Sequence, residues 1–155
     1  MRKIVGLCLG LILLAGIMAG CGGNGTTLHR VKGLAPEKVV STFYERAKSQ
    51  ELEEAALYIA PTSLTAISGV GGFLKNDLGL SDVLSSNLLM AKPIAEQGGF
   101  AVVLATLQDG LNSTRITVKA VGLEKIDGEW YIVDTNTAYR DAKYKALVSL
   151  LENIL

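Results

Sequence analysis

Histidine and cysteine are nearly missing from this chain: one histidine, His29, and two cysteines, Cys8 and Cys21, stand among 155 residues. No Ser or Cys nucleophile therefore has a histidine base in the body of the chain, which removes the common hydrolytic triads and dyads. No His/Cys/Asp cluster has metal-ligand spacing, so neither a metal nor a cofactor is expected. Nor does a glycine-rich turn stand between a strand pattern and a helix pattern. "GVGGF", from Gly69 to Phe73, reads as a break and not as a phosphate cradle. An excess of one charge is lacking too, with 15 basic residues against 15 acidic ones. Without the first 20 residues, which hold Arg2 and Lys3, 13 cations face 15 anions. A nucleic-acid partner needs a basic stripe to replace phosphate counterions, so none is expected.

What is there begins with a three-part N-terminus. Met1 to Lys3 is a short positive stretch, and Ile4 to Ile17 is an apolar run broken only by glycines and Cys8. The run is roughly 14 to 16 residues long, short of the ~20 that a spanning helix needs. That layout is the one a secretory signal has. Met18, Ala19 and Gly20 then lead to Cys21. Ala19-Gly20-Cys21 resembles the lipobox of bacterial lipoprotein signal peptides, with Met18 standing where that family usually has leucine. The resemblance implies that residues 1–20 are removed and that the Cys21 thiol carries diacylglycerol, with fatty chains such as palmitate. Cys8 would leave with the signal, so Cys21 has no disulfide partner. Each buried methylene contributes about 0.8 kcal/mol, and more than one chain gives stable attachment to a membrane. The expected location is the outer face of the bacterial cell membrane, or the outer membrane; Gly22 is not the aspartate that would imply inner-membrane retention. "GGNGTTLHRVKGLA" follows without period and with few apolar residues. Residues 21–34 thus read as a lipidated flexible tether with a reach of about 20 Å, and His29 reads as a solvated residue within it.

Residues 35–155 carry the periodic patterns of one modest domain. Pro36 suits the first turn of a helix, and Val39, Val40, Phe43, Tyr44 and Ala47 form its apolar stripe. A second short helix puts Leu52, Ala55, Ala56 and Ile59 on one face, with Pro61 ending it. Gly69, Gly71 and Gly72 interrupt the next stretch, and Ser81-Asp82 reads as a helix start for Val83, Leu84 and Leu88. From Leu89 the period changes. "FAVVLATLQ", "STRITVKAVGLEKI" and "EWYIVDT" read as strands, with Trp130 and Ile132 on one face of the last. Gln97 to Gly99 and Asp109 to Asn112 are turns, and Asp127-Gly128 is a hairpin turn of the type that needs positive φ at both central residues. The fold class is α+β: N-terminal helices, a curved antiparallel meander of about four strands, and a C-terminal helix. That last helix is expected over residues 138–153. Tyr139, Leu147, Leu150, Leu151 and Ile154 share one side, and Tyr144, Val148 and Leu155 widen the stripe. So wide a stripe must be covered. Tyr131 and Val133 give the sheet a second apolar face, and the short link at Thr135 to Thr137 favours the helix folding back onto it over a partner protein or the membrane surface.

"APEKVVSTFYERAKSQELEEAALYIAP" and "VGLEKIDGEWYIVDT" resemble the opening and the closing hairpin of small bacterial lipoproteins with a nuclear-transport-factor-two-like (cystatin-like) domain of unknown function. Gln50-Glu51 replaces the Gly-Asp usual between the first two helices, and residues 62–88 match little. The resemblance implies a curved sheet wrapped round helices, forming a cone with a cavity. Tyr44, Tyr58, Trp130 and Asp134 are the candidate cavity residues. Phe73 and the three ring residues among them read as core before pocket, and Asp134 reads as a cap at the strand end before a catalytic group. No catalytic residue is assigned. The expectation is a non-enzymatic binding or interaction module with an envelope protein or a small apolar ligand as partner. The alternatives are an enzyme acting through an Asp/Tyr pair in the cavity, or a structural envelope subunit that binds a partner through the C-terminal helix.

Overall fold

The computed structural model describes residues 28–66 and 85–154. Cys21, the apolar N-terminal run, the Ser81-Asp82 helix start and Leu155 lie outside them. Helix α1 spans Pro36–Lys48, with Pro36 in the first turn, Glu37 near its N-terminus and Arg46 and Lys48 in the last turn, each charge placed to complement the helix dipole. Val39, Val40, Phe43, Tyr44 and Ala47 are all buried, so the apolar stripe read from the sequence is the face that packs. Gln50 reverses the chain in a left-handed conformation, φ 63°, into α2, Leu52–Ala56. The apolar face expected for this second helix does not form as one. Ala55 is its buried residue, Leu52 stays exposed, and Ile59 is buried beyond the helix end. The reason is an open sheet edge nearby, which takes the backbone of Tyr58 to Ala60 out of helical geometry. Pro61 opens a further helix, α3 (Pro61–Ala66), where its missing N–H costs nothing.

Four strands follow in a meander of order β1-β2-β3-β4, every neighbouring pair antiparallel. They are β1 (Ser86–Gln97), β2 (Phe100–Asp109), β3 (Ile116–Ile126) and β4 (Glu129–Val133). Leu88, expected on a helix, lies in β1 opposite Leu107. Register shifts at Leu88/Met90 and Pro93/Ala95 mark bulges in β1, which bend an edge strand and give Pro93 a place without a ladder donor. The β3–β4 turn has Asp127 at φ 50° and Gly128 at φ 85°, as a type I′ hairpin requires. The free edge of β4 is closed by chain from elsewhere. Ala60 N donates to Ile132 O and Ile132 N donates to Tyr58 O, both at 2.8 Å.

Helices lie against both faces of the sheet, over only part of the second. Against one face, α1 and α2 pack Val40, Phe43, Tyr44 and Ala55 onto Ala101, Val103, Ala105, Leu107, Val121, Leu123, Trp130 and Ile132. On the other face lie the C-terminal elements: α4 (Thr135–Arg140), a 3-10 turn (Ala142–Tyr144) and α5 (Lys145–Glu152). Tyr144, Leu147 and Leu151 are buried there with Val102, Val133 and Ala138. The segment therefore folds back on its own domain. It is not the single helix expected over 138–153, because Asp141 is extended (φ −100°, ψ 123°) and its carboxylate accepts from Lys143 N. That kink leaves Tyr139 exposed and swings α5 onto the sheet. Gly122 lets it come close: a Cβ there would stand 3.1 Å from both Leu147 methyl carbons.

Candidate functional site

The four cavity candidates are placed as follows. Trp130 and Tyr58 belong to the packed core under α1 and α2. The Tyr58 hydroxyl accepts from Val31 N at 3.2 Å. Tyr44 is buried in the same core and meets Phe43 edge-to-face at 5.7 Å. It also borders a cavity of about 200 Å³ between α1 and the start of β1, lined by Glu45, Lys48, Asn87 and Leu88. That is below the ~300 Å³ at which small-molecule pockets begin. Asp134 lies just past β4 and caps α4: its Oδ2 accepts from Thr137 N at 2.7 Å and from Thr137 Oγ1 at 2.8 Å. Its own N–H donates to Ser63 Oγ, and its buried Oδ1 receives no hydrogen bond from the described residues. The structure thus brings Tyr58 and Trp130 together in a core and gives Asp134 to a helix cap, the bland use of a residue at a strand end.

Across the sheet, on its second face, a polar cluster forms that no motif or spacing announces. Glu124, 2% exposed, accepts from the Tyr144 hydroxyl at 2.9 Å and pairs with Lys143. Thr62 Oγ1 lies 2.9 Å from the same hydroxyl. Burial raises the Tyr144 pKa above the ordinary phenol range, and the carboxylate of Glu124 raises that of Lys143. Both shifts fit a neutral phenol and a charged amine that hold one carboxylate. Each carboxylate oxygen is engaged, so the cluster locks the C-terminal turn to β3 rather than presenting a free acid or base.

Beyond that lock no element among the described residues covers the same face. Registered cross-strand partners line up as rows, and each row shares a face. Ala95, Val102, Gly122 and Val133 form the row beneath α5. Further along, Met90, Thr106 and Val118 form another, with Ile116 beside it. Met90 is 51% exposed and Val118 55%, so among the described residues this row lacks the cover its neighbour has. Leu111 extends the apolar surface at the β2–β3 turn, fully in solvent at 96%. Asp109 shapes that turn by accepting from Leu111 N at 2.8 Å and Asn112 N at 3.2 Å, contacts that hold its carboxyl below the usual range. The alternation of Ile116, Val118 and Ala120 is plain in the sequence, but alternation alone does not tell which of two apolar faces a helix will cover.

Among the described residues no group of three His, Cys, Asp or Glu is placed to hold a metal ion, and no helix is long and apolar enough to cross a membrane. Compared with family models, curated proteins and solved structures, the chain matches none.

Proposed function

We propose that the protein is a lipid-anchored bacterial envelope lipoprotein whose nuclear-transport-factor-two-like domain works as a non-enzymatic interaction module. The anchor rests on the sequence: the positive start, the short apolar run and Ala19-Gly20-Cys21. One observation carries the interaction reading, namely the row of Met90, Thr106 and Val118, which leaves large apolar side chains in water on an ordered sheet. A sheet face of that kind fits the apolar side chains of another protein. Packing also speaks for binding over catalysis, since Asp134 and Tyr58 spend hydrogen-bonding capacity on a cap and on the incoming chain.

Two measurements test the two halves. Cys21→Ala is expected to leave an uncut precursor that takes up no labelled fatty acid; normal processing and acylation would remove the anchor. A photo-crosslinking residue at Val118 is expected to trap one discrete envelope protein in cells, while the same residue at exposed Lys38 traps none. Equal yields from both positions would overturn the interaction surface.

A further inference from the structure

The last part of the expected tether is not free chain. Arg30 is buried to 11% side-chain exposure. Its Nε donates to Leu57 O at 2.9 Å, one terminal nitrogen meets Glu129 Oε2 at 2.8 Å, and the other donates to Trp130 O. Its guanidinium lies over the rings of Tyr58 (5.2 Å) and Tyr131 (4.3 Å). Gly33 N adds a bond to the Glu129 carboxylate at 2.9 Å, which with Arg30 holds that carboxyl below the usual glutamate range. All of these partners sit at one end of the sheet. Glu129 opens β4 at the Asp127-Gly128 turn, and Lys125 N donates to Gly99 O, so the β1–β2 turn lies at the same end. The β2–β3 turn with Leu111 is at the other.

We propose that Arg30 is a staple that sets which end of the domain faces the bilayer: the end bearing the Gly98-Gly99 and Asp127-Gly128 turns stands toward the lipid headgroups, and Leu111 points away. The inference rests on the lipid anchor at Cys21, and its force comes from length. Nine residue steps separate Cys21 from Arg30, and nine steps span at most about 32 Å whatever their conformation. For the Leu111 end to face the bilayer, Arg30 would have to stand a full strand above it. Trp130, which holds Arg30, pairs with Lys125, nine steps along β3 from Ile116. That is about 31 Å at 3.4 Å per residue, and the β2–β3 turn out to Leu111 adds several ångströms that a fully stretched leash does not have. The leash is too short for that inversion. Were the chain free as far as Ala35, the span would rise to about 50 Å and either end could reach the membrane. Charge does not make the choice, because the stapled end mixes Lys32 and Lys125 with Glu96 and Asp127, all exposed.

The test uses the lipidated protein that begins at Cys21, in phosphatidylcholine vesicles with an energy acceptor on the headgroups. Single donor dyes are placed on Gln97→Cys, at the stapled end, and on Leu111→Cys, at the far end. Stronger transfer from position 97 than from 111 is expected. Inserting about a dozen Gly/Ser residues between Thr26 and Thr27 relaxes the length limit to about 70 Å without touching the domain, and should abolish the difference. Arg30→Gln should reduce it in the same direction. Equal transfer from the two sites in the parent protein, or a difference that survives the insertion, overturns the staple. A protein that begins at Gly22, without the apolar run and the Cys21 thiol, and still pellets with the vesicles would instead remove the anchor on which the inference stands.

Discussion

Tyr144 and Trp130 show how two aromatic residues on opposite faces of one sheet do different work. Trp130 is 4% exposed and packs among Ile132, Tyr58 and the α1 stripe, so its contribution is area removed from water. Trp130→Ala should lose about 3–5 kcal/mol in chemical denaturation; a change within about 0.5 kcal/mol would place the ring outside the core. Tyr144 contributes through its hydroxyl as well. Removing it in Tyr144→Phe takes a donor from buried Glu124 and a partner from Thr62, at a cost of about 1–3 kcal/mol. The signs of the two shifts at this lock give it a pH dependence. Lys143, with a raised pKa, stabilises the fold fully below its ordinary value near 10.4 and stops doing so as pH rises through the raised value. Tyr144 also favours its protonated form in the fold, and its contribution is likewise lost on the alkaline side. The parent should therefore lose stability steeply above about pH 10, and Tyr144→Phe should show a shallower alkaline limb on a lower plateau. Parallel alkaline limbs for the two proteins would mean that the lock does not titrate.

At the scale of elements, what was legible followed from periodicity and from turn chemistry. The α1 stripe shows in sequence because its spacing fits one helix face, and the hairpin at Asp127-Gly128 because both positions need positive φ. The C-terminal segment was legible in its destination and misread in its shape. Its apolar residues keep helical spacing through residues 138–153, while the break depends on one carboxylate finding Lys143 N, a contact that leaves the spacing untouched. Ile59 was misread for a related reason: it keeps the helical stripe, but a strand edge more than seventy residues later offers its neighbours better hydrogen bonds. Deleting everything after Thr137 would uncover Val102, Val133 and the space beneath Tyr144, Leu147 and Leu151. With about 1.5–3 kcal/mol for each buried leucine alone, the truncated domain should be several kcal/mol less stable and should self-associate in sedimentation. An unchanged monomer would show that α5 adds nothing to the fold.

For the molecule as a whole, the helix-then-meander order and the packing of helices against both sheet faces could be read from the chain, because each lies in runs of neighbouring residues. The candidate site was legible only in part. Asp134 was recognisable as a cap, but nothing in a Gly- and Thr-rich stretch announces that Arg30 will be held by Glu129 and Trp130, 99 and 100 positions later. That closure has a consequence in time. A chain that emerges from its N-terminus presents Arg30, α1 and α2 long before their partners in β4 exist outside the exit. The meander can pair hairpin by hairpin as it appears, since its contacts are close in sequence. The first core can begin to close on β1 and β2, but it is complete only when Trp130 and Ile132 arrive, with the last two dozen or so residues still to come. The N-terminal helices are thus made first and sealed late, and they are the part most in need of shelter while the protein is being made.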